Sequence, residues 1–180
     1  MAMEPAATME FVALTETLSD MGFTISYPAG WVAESDIELG AIQVASSQET
    51  LNVVNTLDET DFTALEPGSI FINMSFIPGA SILGTPADIF DLLFAEIPPD
   101  EAFNAGDAGD VMIGTYEGVR ADLIFGDNVP GEGVGEVYIL DVGGDQALLV
   151  LYFAQGTELQ SATVEAIIAS LTTISAENAP

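Results

Sequence analysis

The chain has 180 residues, 49% of them hydrophobic and 17% charged, so it is long and apolar enough to bury a core, and global disorder is excluded. Its charge is one-sided: 29 Asp and Glu face a single base, Arg120, with no Lys and no His, for a formal net charge of -28. Such a surface repels nucleic-acid phosphates and anionic lipid head groups and attracts cations and basic proteins.

Residues 1 to 8 read as a flexible lead-in, without the basic and apolar regions of a signal peptide. Met1-Ala2-Met3 is compatible with a lost upstream segment. Phe11 to Leu18 alternates as a strand, and Ser19 to Gly22 turns the chain into a second one, where Phe23, Ile25 and Tyr27 share one face. Pro28-Ala29-Gly30 leaves Gly30 free to take a positive φ and swing Trp31, the only Trp, back onto that face. A polar stretch through Glu38 leads to a short strand at Gly40 to Ala45. Ser46-Ser47-Gln48-Glu49 offers a capping box for a helix from about Ser47 to Asn55. An acidic loop then precedes a strand over Ser69 to Phe76. Thr85-Pro86-Ala87-Asp88 is a helix start, with the helix ending at Pro98-Pro99. Its Ile89, Phe90, Leu92, Leu93 and Phe94 cover most of the circumference, which predicts deep burial or a covered second face. After a loop over residues 98 to 110 come hairpin strands at about 111 to 116, 118 to 126 and 135 to 142. Gly143-Gly144 turns into the last strand, Asp145 to Ala154, which does not alternate and so requires cover on both faces. Thr157 to Gln160 is a second capping box, and Val164, Ile167, Ile168 and Leu171 follow at helical spacing. The core is expected to include Tyr27, Trp31, Phe76, Leu149, Leu151, Phe153 and Ile168.

The fold class is therefore α+β, an antiparallel β-sheet sandwiched by helices (α/β/α); a half-open barrel with one covering helix is the alternative. One domain spans 9 to 175, with a tail at 176 to 180. The pattern Phe23-x-x-x-Tyr27-Pro28-x-x-Trp31, the central strand, the Thr85-capped helix, the hairpin run and the helix after an apolar strand resemble the PsbP and Mog1-like superfamily. They most resemble its uncharacterised extracytoplasmic members among bacterial lipoproteins. The likeness covers roughly residues 10 to 174. It implies a domain that is not an enzyme and acts outside the cytoplasm as an accessory or binding module. Its two named branches bind a photosystem and a small GTPase; no residue here matches either surface, so no functional residue carries over. The near-absence of bases departs from relatives that use basic contacts.

The missing residue types exclude much chemistry: no Ser-His-Asp or Cys-His nucleophile, no nitrogen- or sulfur-ligated zinc, no disulfide, no lysine Schiff base and no Walker A motif. No run of about 18 apolar residues spans a membrane. Gly131-Glu132-Gly133-Val134-Gly135 lies between strands and carries acids where a phosphate would sit, so it reads as a hairpin loop. Tyr27 and Trp31 read as core anchors, against an aromatic ligand shelf. Asp100, Glu101, Asn104, Asp107 and Asp110 form one oxygen-rich loop and Asp127, Asn128 and Glu132 another; neither has EF-hand spacing, and metal binding stays open. Arg120 should lie on the Asp122 face in a structural ion pair. No catalytic or cofactor-binding residue is assigned, and no cofactor is expected. The alternatives are a calcium-dependent surface or assembly protein and a carboxylate-based hydrolase; the partners are cations, a basic protein or further copies of the chain.

Crowded acids raise one another's pKa values in the compact chain, so the folded state binds more protons than the unfolded one. At low salt the melting temperature should therefore rise as pH falls from about 7 to about 4.5, and roughly molar salt at pH 7 should recover part of that gain. A melting series from about pH 3 to 8 at two salt levels checks both; a low-salt maximum at or above pH 7 that salt does not raise refutes the account.

Overall fold

A computed structural model describes residues 11–14, 23–36, 40–56, 61–95, 97 and 102–173. The elements are β1 (Phe11–Leu14), β2 (Phe23–Pro28), β3 (Val32–Asp36), β4 (Ala41–Ala45), α1 (Gln48–Thr56), β5 (Ile70–Pro78), α2 (Ala80–Leu83) and α3 (Pro86–Phe94). After them come β6 (Phe103–Ala105), β7 (Gly109–Ile113), β8 (Tyr116–Phe125), β9 (Gly133–Gly143), β10 (Gln146–Gln155), α4 (Ser161–Ala169) and β11 (Thr172–Thr173). An eight-stranded sheet runs β3-β4-β5-β10-β9-β8-β6, with β7 also on β8, and a smaller sheet runs β1-β2-β11. Every pairing is antiparallel.

Alternation along β10 sorts the sheet into two faces. Leu148, Val150, Tyr152 and Ala154 join Ile42, Val44, Ile72, Met74 and Leu140 in the main core. That face is closed by Val164, Ile167, Ile168 and Leu171 from α4 and its end, and by Phe23 and Ile25 of the small sheet. Ser170 ties the two covers together, its Oγ accepting from the Ser26 N–H at 2.7 Å and donating to the Ser26 carbonyl at 3.1 Å. On the other face Ile89, Phe90 and Phe94 of α3 pack on Val119, Ala121, Leu123, Val137 and Ile139. Leu51 of α1 packs there on Ala45 and Phe71. The unalternating strand thus has helices on both sides, as its composition demands.

Of the seven residues expected in the core, Ile168 is fully buried. Tyr27, Trp31 and Phe76 flank the main core half-buried. Leu149, Leu151 and Phe153 are also only half-buried, because α1 and α3 are nine-residue helices over opposite ends of their face and leave its middle partly open. Other differences are local. Val32–Asp36 is a strand despite its polarity, because it is an edge strand that among the described residues pairs with β4 alone. Three residues of the loop over 98 to 110 form β6. Ser47, not Ser46, caps α1 by accepting from the Thr50 N–H at 3.0 Å, while Ser46 Oγ accepts from the Ile70 N–H at 3.0 Å and stitches the helix start to β5. The β9–β10 turn is Gly144-Asp145, both with positive φ, one residue beyond the expected pair. Thr157 does not cap α4, which starts at Ser161 behind Gln160. Gly30 takes φ +87°, and the Trp31 N–H donates to the Pro28 carbonyl at 3.1 Å, as the turn chemistry predicts. The expected lead-in, the Ser19 to Gly22 turn, the Pro98-Pro99 stop and the C-terminal tail lie outside the described residues.

Thr85 and Asp88 form the predicted start of α3 as a reciprocal capping box. The Asp88 carboxylate accepts from the Thr85 N–H at 2.8 Å, and its side-chain bond to the Thr85 hydroxyl, then that backbone bond, hold its pKa below the usual value. Asp145 is lowered in the same way by Ser81. These two shifts oppose the crowding expected of the acids, because a hydrogen bond aimed at one carboxylate acts at closer range than diffuse repulsion. With folded pKa values below the unfolded ones, the stability they give is complete above about pH 4 and is lost as pH falls through the folded values. Thr85→Ala should destabilise the chain by about 1 kcal/mol in urea unfolding at pH 7. An unchanged midpoint would mean that packing alone fixes the helix start.

Candidate functional site

The α2–α3 elbow is built by the strand ends beneath it. The Gly79 and Ala80 N–H groups donate to the Asp145 carbonyl at 2.9 and 3.2 Å, and the Ser81 N–H donates to Asp145 Oδ1 at 2.9 Å, so the β9–β10 turn clamps the start of α2. Gly84 takes φ +113°, and a Cβ there would lie 2.6 Å from Asp88 Oδ2; glycine leaves the room in which Asp88 folds back onto Thr85. The elbow is thus held at both ends by hydrogen bonds.

What it presents is apolar. The stretch from Ile89 to Phe94 carries more apolar side chains than one helix face can bury. Ile89, Phe90 and Phe94 take the core side, leaving Leu92 65% exposed and Leu93 partly so. Ile82 and Leu83 of the adjoining α2 are exposed as well, Ile82 at 86%, and these four side chains of the α2–α3 elbow are its ridge. The covered second face expected from the sequence is absent among the described residues. Asp88, Asp91 and Asp145 stand exposed beside the ridge.

Beyond the helix start, Thr85, Pro86 and Ala87 form one wall of a groove of about 610 Å³, whose other side is Asp110, Val111, Met112, Glu117, Gly118 and Val119. In the β7–β8 register Asp110 faces Val119 and Met112 faces Glu117, which places these four on the α3 face of the sheet. Met112 is 59% exposed. Ridge and groove therefore combine apolar surface with carboxylates.

Arg120 lies on the opposite face. It shares the Asp122 side of β8, as expected, yet its ionic partners are Glu136, with Nε 3.6 Å from Oε1, and Glu165 of α4, with Nη1 3.2 Å from Oε1. Glu136 is 2% exposed and accepts from the Tyr138 hydroxyl at 2.7 Å. Burial first, then the neighbouring Glu136, push the Tyr138 hydroxyl far above its ordinary pKa, so it remains a donor. Both carboxylates are ion-paired to Arg120, which joins β9 to α4, a structural arrangement. The other sequence candidates are placed as follows. A Cβ at Gly133 would overlap the Phe62 ring and one at Gly135 would meet the Tyr152 carbonyl at 2.4 Å, so that loop's glycines make room for packing. Tyr27 and Trp31 pack against the main core. Asn104 Oδ1 accepts from the Ala105 N–H at 2.7 Å, Asp110 is exposed on strand β7, and Asp107, Asp127, Asn128 and Glu132 are exposed on the connecting segments. Asp100 and Glu101 lie outside the described residues. Among the described residues no three acids gather to hold a metal ion, and no helix is long and apolar enough to cross a membrane.

No family model matches the sequence, and no protein of curated description does. Solved structures do match in shape. Yeast Mog1p, a Ran-binding protein of Saccharomyces cerevisiae, aligns at TM-score 0.56 and 10% identity over 94% of this chain and 98% of its own. Cyanobacterial PsbP from Synechocystis sp. PCC 6803 aligns at TM-score 0.51 and 13% identity, over 96% and 98%. The fold is that of PsbP and Mog1. A crystal structure from Bacteroides thetaiotaomicron aligns at TM-score 0.55 and 15% identity over 87% of this chain; the match spans 47% of that longer chain. At these identities the PsbP/Mog1 likeness fixes architecture, and the ridge and groove must be argued from this chain's own residues.

Sequence reasoning missed this surface because an over-apolar helix reads as a buried one; the usable signal was that five apolar residues among six exceed what a two-layer contact accommodates. Removing the donor to Glu136 tests the buried pair: Tyr138→Phe should destabilise by about 1–3 kcal/mol in urea unfolding. A wild-type midpoint would mean that Arg120 alone satisfies that carboxylate.

Proposed function

We propose that this protein is a non-catalytic accessory or binding domain, working outside the cytoplasm, whose partner is a basic amphipathic protein that docks on the α2–α3 ridge. The observation that carries this reading is the exposure of Ile82, Leu83, Leu92 and Leu93 on one elbow together with the exposed Asp88, Asp91 and Asp145. Several large apolar side chains exposed on one short segment among polar residues are the character of an interaction site. Charge decides the partner's sign. A chain of net charge -28 repels a second copy, whereas a basic partner gains from every carboxylate around the patch and is steered to it. The extracytoplasmic setting rests on the resemblance of the Phe23 to Trp31 stretch; a lipobox Cys encoded upstream would support it, and a cytoplasmic protein in cell fractionation would end it.

Selection from a random-peptide display library tests the docking reading. Enriched sequences should combine Lys or Arg with large apolar residues, and Ile82→Glu/Leu92→Glu should lose them by at least about tenfold in Kd, since both side chains are exposed and free to change without disturbing the core. Enrichment of acidic or uncharged sequences, no enrichment, or indifference to the double substitution would overturn it.

A further inference from the structure

The second wall of the groove is an open sheet edge. β7 pairs only with β8, and none of its backbone groups bonds to another described segment. Its hairpin closes at the Ile113–Tyr116 pair through Gly114-Thr115, with Gly114 at φ +61°. A two-residue turn closes on a hydrogen-bonded pair, and such pairs alternate along an antiparallel ladder. Ile113, Val111 and Gly109 therefore bond to β8, while Asp110 and Met112 turn their N–H and C=O groups outward.

Such edges are ordinarily blunted by Lys, by Pro or by a covering element. β7 has none of these among the described residues; its protection is the charge of Asp110, with Asp107 just before it. That charge turns away another acidic chain and admits a basic one. The side-chain geometry points the same way. A strand added beside β7 continues the pleat about 4.8 Å away, so its residues opposite Asp110 and Met112 project on the α3 face, into the groove below Thr85, Pro86 and Ala87. A Lys opposite Asp110 pairs with it directly. One opposite Met112 lays its methylene stem on the exposed thioether and carries its charge towards Glu117.

We propose that β7 accepts a strand from the partner, an extended segment with basic side chains at alternate positions that adds to the free edge at Asp110 and Met112. This rests on the basic-partner reading and names how one segment of that partner binds: backbone hydrogen bonds supply affinity, and the two carboxylates select the side chains.

Three peptides test it on the intact chain: one alternating Lys with Thr, its Glu-for-Lys twin, and the Lys peptide with backbone N-methylation on the pairing edge. The Lys peptide should bind and slow hydrogen exchange at the Asp110 and Met112 amides. N-methylation should weaken it by at least about tenfold, the loss expected from a few missing hydrogen bonds. Asp110→Lys/Glu117→Lys, both exposed positions, should switch preference to the Glu twin. Met112→Pro, which removes an outward N–H and no hairpin bond, should weaken the Lys peptide while leaving the urea midpoint near wild type. Binding that ignores N-methylation, or that perturbs only the α2–α3 ridge and vanishes in Leu92→Glu, would overturn strand addition and leave the basic-partner reading standing. No binding by the Lys peptide overturns strand addition as well, and the ridge is then judged by the library selection alone.

Discussion

Burying β10 on both faces is the constraint on which the rest of the structure depends. A strand that reads Ala-Leu-Leu-Val-Leu-Tyr-Phe-Ala cannot leave either side to water, so the chain must place a layer above and a layer below it. It does so unequally. One side receives α4 and the small sheet, where Ile25, Val164, Ile167 and Ile168 are fully buried; the other receives two helices of nine residues each over the two ends of the sheet. The half-buried Leu149, Leu151 and Phe153 and the overfilled surface of α3 both follow from that asymmetry. The closed side serves stability, and the open side is where surface remains for another molecule.

The charge distribution sharpens this division. The single base sits on the closed side, held by Glu165 of α4 and by the buried Glu136. The open side therefore carries carboxylates with no described cation among them. Apolar contact there supplies binding energy, while the uncompensated charge sets the sign of what approaches. The same acids discourage the open edge and ridge from self-association, a protection against aggregation that uses neither Lys nor Pro.

Much of this was legible in the residues. The Thr85-Pro86-Ala87-Asp88 cap, the Gly30 turn, the continuous apolarity of β10 and the spacing of Val164, Ile167, Ile168 and Leu171 each have one dominant local cause, and each stands as read. The failures share another cause. Val32–Asp36 becomes a strand through pairing with β4, α4 starts at Ser161 where the Gln160 N–H donates to the Tyr152 hydroxyl instead of at a Thr157 cap, and Ser46 leaves the α1 cap to bond Ile70 across the sheet. These outcomes depend on partners distant in sequence, which local propensity does not contain. The ridge was misread for the same reason: periodicity reports how apolar a helix is, and only the tertiary neighbours determine how much of it they cover.

Arg120 has one more consequence. It is the only residue after which trypsin cuts, and it lies within β8, bonded to β7 on one side and to β9 on the other, with its side chain engaged by two carboxylates. A protease must draw several residues of extended backbone into its cleft, and here that requires stripping β8 from its neighbours β7 and β9. The native chain is in effect invisible to trypsin, and a single cut into two fragments becomes a built-in reporter of sheet opening, readable on a gel with no label attached.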